Sequence, residues 1–139
     1  MIKRTRARKQ ALQILYFMDM TGIEAGEAMD LFAAHFEEKD ADSEYARNMV
    51  FDIEERKSEL DSVIEKFLVE WKLSRLPRVD RNILRIGAYE VRFQRDLPGA
   101  VILDEAVELG KKYGDTKSGA FINGILDKIA RQERGPALA

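Results

Sequence analysis

Lys3, Arg4, Arg6, Arg8 and Lys9 crowd the start of the chain, and no acid precedes Asp19. On a helix Arg4 and Arg8 stand one turn apart on one face with Arg6 and Lys9 beside them, a spacing at which like charges repel. A ligand with repeated negative charge offsets that repulsion. The chemistry suggested is therefore the holding of a polyanion, with a solvated helix end as the plain alternative. Aromatic residues stand near cations: Tyr16 follows the cluster, and Tyr113 and Phe121 lie on either side of Lys117. Single-stranded RNA is held by cationic contacts to its backbone and by aromatic rings stacked on splayed bases. Tyr113 and Phe121 read equally well as core.

Catalytic and metal chemistry have less to stand on. His35 is the only histidine and stands in an apolar stretch beside Phe36, where it reads as structural. Asp104, Glu105 and Glu108 are helical neighbours, but a metal needs further convergent ligands, and acids near a helix start suit the helix dipole. No phosphate loop, dinucleotide fingerprint, H-E-x-x-H or G-x-S-x-G pattern occurs. The chain has no cysteine, hence no disulfide framework and no thiolate site. The expectation is a non-catalytic protein with no cofactor and no metal.

The 139 residues suit one domain, and 45% apolar content suits a packed core. The apolar run from Ile14 to Met18 is stopped by Asp19, too short for a signal peptide or a membrane span. The Arg-rich start has some character of a mitochondrial presequence, but it carries core-like residues and little Ser. A cytoplasmic protein with no membrane contact is expected. The formal charge of −2 hides a block pattern. Residues 1–18 hold five cations and no acid, residues 19–61 hold four cations and fourteen acids, and Lys72 to Arg95 holds seven cations against Asp80 and Glu90. The acidic stretch is expected to lie off a polyanion's path, or to steer a basic partner. The block from Lys72 to Arg95 is the second candidate for that path.

These side chains need elements to hold them, and apolar residues recur at helical spacing nearly throughout. Ala11, Leu12, Leu15 and Met18 follow that rule, as do Ala28, Leu31 and Phe32, then Ala46, Met49, Val50 and Ile53. Leu60, Val63, Ile64, Phe67, Leu68 and Trp71 follow it again, with Ser58 and Asp61 resembling a capping box. Glu37 to Asp42 reads as a loop. Pro77 and Pro98 bracket a helix that is apolar almost all round, which belongs at a centre. Pro98 starts the next helix and Gly114 ends it. Asn123-Gly124 is a hairpin signal, but its flanks have a helical period, so it reads as helix, with a close helix–helix approach offsetting the glycine. The expectation is an all-α fold of about seven helices, one RNA-binding domain over 1–132 and a disordered tail over 133–139.

RTRARKQALQILY, DRNILRIGAYE, AVILDEAVELGKKYG and FINGILDKI, in this order from about Lys3 to Ala130, closely resemble the NusB family of bacterial transcription antitermination factors. The resemblance implies two small helical subdomains packed together. It also implies binding of the boxA element of ribosomal RNA leader transcripts with NusE, a small-subunit ribosomal protein, in a complex with RNA polymerase and other Nus factors. RNA contacts of the family's first helix fall on Arg4, Arg6 and Arg8, and its FxNG phenylalanine is Phe121, near the basic loop at Lys117 and Ser118. The NusE-facing surface includes an acid at Asp80, with Tyr16 nearby. Some members dimerise, so a homodimer is a further implied partner. Two positions depart from the pattern: Asp104 stands where the family usually has Asn, and Gly110 replaces a frequent Ala, which loosens a helix.

Two other readings fit in part: the RNA-binding domain of a ribosomal RNA cytosine methyltransferase, and a helical adaptor that ignores RNA. On the favoured reading the RNA and NusE surfaces are separable. Replacing Arg4, Arg6 and Arg8 together by Ala is then expected to leave the fold intact.

Overall fold

The computed structural model describes residues 4–35, 41–70 and 72–135, without the side chain of His35. His35 as a structural histidine, Phe36, the loop over 37–40 and Trp71 thus fall outside the described residues. Those described form seven α-helices and no strand: α1 Thr5–Thr21, α2 Ala25–Phe32, α3 Ala41–Glu55, α4 Lys57–Glu65, α5 Arg78–Phe93, α6 Gly99–Tyr113 and α7 Ser118–Arg134. The all-α expectation holds. The chain divides into two compact units, Met1–Arg56 and Lys57–Ala139.

In the first unit α1 packs on α3 and α2. Ala7, Ala11, Leu12, Ile14 and Leu15 of α1 are buried, with Ala25, Ala28 and Met29 of α2 and Ala46, Met49, Val50 and Ile53 of α3. The Ala25 N–H donates to Glu54 Oε2 at 2.8 Å, so a carboxylate of α3 satisfies one of the orphan donors at the start of α2. The Phe32 ring meets Phe17 edge to face with centroids 5.5 Å apart. Leu31, expected in the core, is exposed instead, since the buried side of α2 runs through Ala25, Ala28 and Met29. Ala41 and Asp42, expected in a loop, already belong to α3.

In the second unit α5 is central, packed by α4, α6 and α7, and every residue from Asn82 to Val91 is buried. That run includes Arg85, whose guanidinium forks onto Asp61 (Nε to Oδ1 2.8 Å, Nη2 to Oδ2 3.0 Å) and also donates to Asn82 Oδ1 at 3.0 Å. The capping-box reading of Ser58 and Asp61 is therefore corrected. The helix starts at Lys57, and the Asp61 carboxylate is taken by Arg85.

Gly110 does not simply loosen α6. A Cβ there would stand 2.8 Å from Ile122 Cδ1 and 3.3 Å from the Gly119 backbone nitrogen, so glycine permits the close approach of α6 and α7. The close approach expected at Gly124 is absent, with nothing within 4 Å of a Cβ at that position. Gly124→Ala should accordingly raise stability by about 0.5–1 kcal/mol, the usual gain of Ala over Gly inside a helix. The urea midpoint should rise with no change in slope; a lower midpoint would mean that the position is crowded.

The tail expected over 133–139 overlaps the end of α7, and its part over 136–139 falls outside the described residues. The helix α7 runs through Arg134, and Glu133 meets Arg92 at 3.3 Å and Arg95 at 4.0 Å. Arg134 reaches the end of α5 and donates to the carbonyls of Val91 (3.0 Å), Glu90 (3.1 Å) and Gln94 (3.0 Å), and also to that of Leu97. The carbonyls of Glu90 and Gln94 also accept from the N–H groups of Gln94 (2.9 Å) and Leu97 (3.0 Å), so Arg134 is a second donor there, and the negative end of the helix dipole favours its cation. Arg134→Ala should cost about 2 kcal/mol, the scale of hydrogen bonds to a charged group. Thermal melting would register the loss, and an unchanged melting temperature would show that water satisfies these carbonyls equally well.

Candidate nucleic-acid interface

The cationic cluster does not present itself as one surface. Arg4 occupies the position before α1 without a side-chain capping bond, and its guanidinium lies 4.5 Å from the centre of the Tyr45 ring and 3.9 Å from Asp42 Oδ1. The acidic stretch is thus not wholly apart from the cluster. Arg8 is only 2% exposed and ranks among the largest fully buried side chains. It shares the buried side of α1 with Leu12 and Leu15, four and seven residues on. The expectation that Arg4, Arg6 and Arg8 can all be removed without harm to the fold fails at Arg8. Arg6 and Lys9 are exposed.

Arg6 and Lys9 begin a stripe that continues through Gln13, Tyr16 and Met20, alternately three and four residues apart and all exposed. Cations occupy one end of the stripe, an amide the middle, and Tyr16, 37% exposed, with Met20 the other end. Beside it, Arg6, Lys9, Gln10 and Gln13 face Phe32 across a cleft of about 560 Å³. Sequence reasoning passed over Gln10, Gln13 and Phe32. The amides carry no charge signal, and Phe32 fitted a core period.

In the second unit Asp80 and Ser118 were assigned to different surfaces, yet they touch. The Ser118 hydroxyl donates to Asp80 Oδ1 at 2.7 Å, and Asp80 is 5% and Ser118 1% exposed. Neither side chain is a surface contact. The Asp115 N–H donates to Ser118 Oγ at 3.0 Å, and the Lys117 N–H donates to Asp115 Oδ1 at 2.8 Å. Together these bonds fix the turn from Gly114 to Ser118. Gly114 has an extended backbone (φ −93°) rather than a left-handed one, and a Cβ there would collide with Ser118. Burial raises the Asp80 carboxyl above its ordinary value; the Ser118 hydrogen bond opposes the rise and the Asp115 charge adds to it. What the turn offers outward is Lys117, exposed, with Phe121 half-buried one helical turn on. Tyr113 is half-buried too, with Lys112 Nζ 5.4 Å from its ring centre. The second basic block is partly engaged: Arg85 binds Asp61, Arg92 meets Glu59 and Glu133, and Arg81 donates to the Ser74 carbonyl. Among the described residues no group of three or more His, Asp or Glu could hold a metal, and no helix is long and apolar enough to cross a membrane.

The model of the NusB family matches residues 5–131, which span both units. The chain belongs to the NusB family. The transcription antitermination protein NusB of Clostridium perfringens (strain 13 / Type A) is 44% identical over 130 residues, covering 92% of this chain and 96% of its own. That of Bacillus licheniformis is 44% identical over 128 residues, with the same coverage of 92% and 96%. Among solved structures, T. maritima NusB matches with a TM-score of 0.85 at 36% identity, covering 98% of this chain and 95% of that one. A crystal structure of the antitermination factors NusB and NusE in complex with double-stranded RNA matches with a TM-score of 0.80 at 36% identity, covering 92% and 97%. As a NusB-family member the chain is a non-catalytic transcription antitermination protein, in agreement with the expectation.

Proposed function

We propose that this chain binds boxA-type RNA of ribosomal RNA leader transcripts together with NusE, within an antitermination complex of RNA polymerase and other Nus factors in the bacterial cytoplasm. The observation that carries the reading is the exposed stripe on α1, in which Arg6 and Lys9 lead into Gln13 and Tyr16. The solved NusB–NusE–RNA complex of a 36% identical relative supports it. The RNA-binding domain is the span 1–132. Arg6, Lys9 and Lys117 contact phosphates, Phe121 stacks on a base, and Tyr16 serves the NusE side. Arg4, Arg8, Ser118 and Asp80 act from beneath, by holding α1 and the 114–118 turn in place. A homodimer would compete for this surface.

The relatives matched over 96% of their own length are antitermination proteins, which favours this reading over the RNA-binding domain of a methyltransferase. The test is titration of a single-stranded boxA-type RNA, with and without NusE, at several salt concentrations. Phosphate contacts make affinity fall as salt rises, by about 0.7 in the log–log slope for each contact on a single strand. Tighter binding with NusE and a clear slope are expected. A NusE-binding protein with no salt-dependent RNA binding would instead be the helical adaptor.

A further inference from the structure

We infer that the cleft between α1 and α2 is a subsite for one unstacked nucleotide of single-stranded RNA, with Gln10 and Gln13 facing the edge of its base, Phe32 against its ring, and Arg6 and Lys9 on its phosphate. The inference rests on the RNA-binding reading above and gives it a position where sequence is read. Arg6, Lys9, Gln10 and Gln13 follow one another at helical spacing, and all four line the cleft opposite Phe32. Its volume of about 560 Å³ is ample for a base. The composition matches the ligand in each part. Cations suit a phosphate, carboxamides both donate to and accept from base edges, and an aromatic ring offers a stacking face. Phe17 holds the Phe32 ring edge to face at 5.5 Å, so the platform is fixed before any ligand arrives.

Gln10 Oε1 is a second, independent observation. It is buried and has no hydrogen-bond partner among the described residues. A buried acceptor left in this state is costly; because Gln10 also lines the cleft, a rotation of its amide toward the cleft would let an entering donor satisfy it. The exocyclic amine or ring N–H of a base is such a donor. The stripe also runs on from the cleft to Tyr16, so a nucleotide seated here lies at the border between the basic end of α1 and the end assigned to NusE. Phosphate contacts alone would leave the chain indifferent to sequence; two amides against a base edge would not.

The experiment uses the full chain, NusE and a series of boxA-type RNAs in which each nucleotide in turn is made abasic. Gln13→Ala removes an exposed amide without touching the core. Phe32→Leu keeps an apolar side chain beside Phe17, and its melting curve is checked first. Each variant should bind the intact RNA on the order of tenfold more weakly, with the salt slope of wild type. The loss should vanish for one abasic RNA, the same one for both variants, and persist for all the others. Losses that are equal across the whole abasic series overturn the inference. So does a Gln13→Ala protein that binds NusE more weakly in the absence of RNA, since the cleft would then be a protein contact. Wild-type protein that binds no RNA would sink the RNA-binding reading itself, whereas normal wild-type binding with indifferent variants would sink the subsite alone.

Discussion

Arg8→Ala is expected to lower the unfolding free energy by about 2–5 kcal/mol, the range for deleting a large buried side chain. Arg6→Ala combined with Lys9→Ala should leave stability nearly unchanged. The difference follows from placement: Arg8 is 2% exposed, so its loss opens a hole between packed elements, whereas Arg6 and Lys9 are exposed. RNA binding should divide the other way. The double variant should weaken every RNA sequence and flatten the slope of log affinity against log salt by roughly 1.4, two contacts at about 0.7 each. Urea denaturation and a salt series on one RNA measure the two quantities. An Arg8→Ala protein as stable as wild type would place that side chain at the surface, and a double variant with the wild-type slope would make Arg6 and Lys9 a solvated helix face. A triple replacement of Arg4, Arg6 and Arg8 would mix the two effects.

The second large effect is expected at Asp80. Asp80→Lys puts a longer side chain and an ammonium group where a buried carboxylate accepts from Ser118. It should cost about 3 kcal/mol or more through overpacking and burial of a mismatched charge. The turn that carries Lys117 should move with it, so RNA binding should fall even if NusE binding also does. On the proposed function, loss of both activities is therefore the expected result at this residue. Asp80→Asn is the gentler probe, since its amide oxygen still accepts from Ser118. Burial first, and Asp115 in addition, raise the Asp80 carboxyl above 3.8. In the native state it therefore keeps a proton that the unfolded chain has released. That contribution to stability is fully present below 3.8 and is lost as pH rises through the native value. The melting temperature of Asp80→Asn relative to wild type should thus improve with pH across that window and then level off. A difference that stays flat would mean that Asp80 is well solvated.

The helices were legible because their apolar spacing is strict and Pro77 and Pro98 mark two starts. The central place of α5 followed from its apolar surface alone. Residues whose role depends on distant partners were not legible. Arg8 was read by its charge, although Leu12 and Leu15 at four and seven residues on put it on the buried side. Asp80 and Ser118 are 38 positions apart, and no local pattern announces their hydrogen bond. Arg134 looked like part of a solvated tail because its acceptors are backbone carbonyls, which have no signature in sequence. At Gly110 and Gly124 the composition was plain, but which of them faced a neighbouring helix was decided by helix rotation.

The reach of Arg134 back to α5 has a kinetic consequence. Most packing in the second unit joins helices that follow one another in sequence, α4 to α5, α5 to α6 and α6 to α7, and such local topology forms quickly. The hydrogen bonds of Arg134 instead close loops of 37 to 44 residues, so loop-closure entropy delays them until the helices have docked. A contact absent from the folding transition state leaves the rate of folding alone and sets the rate of escape from the native state. Arg134→Ala should therefore speed unfolding and leave the rate of folding nearly unchanged, as stopped-flow kinetics would register; equal changes in both rates would mean that the contact forms together with the helices.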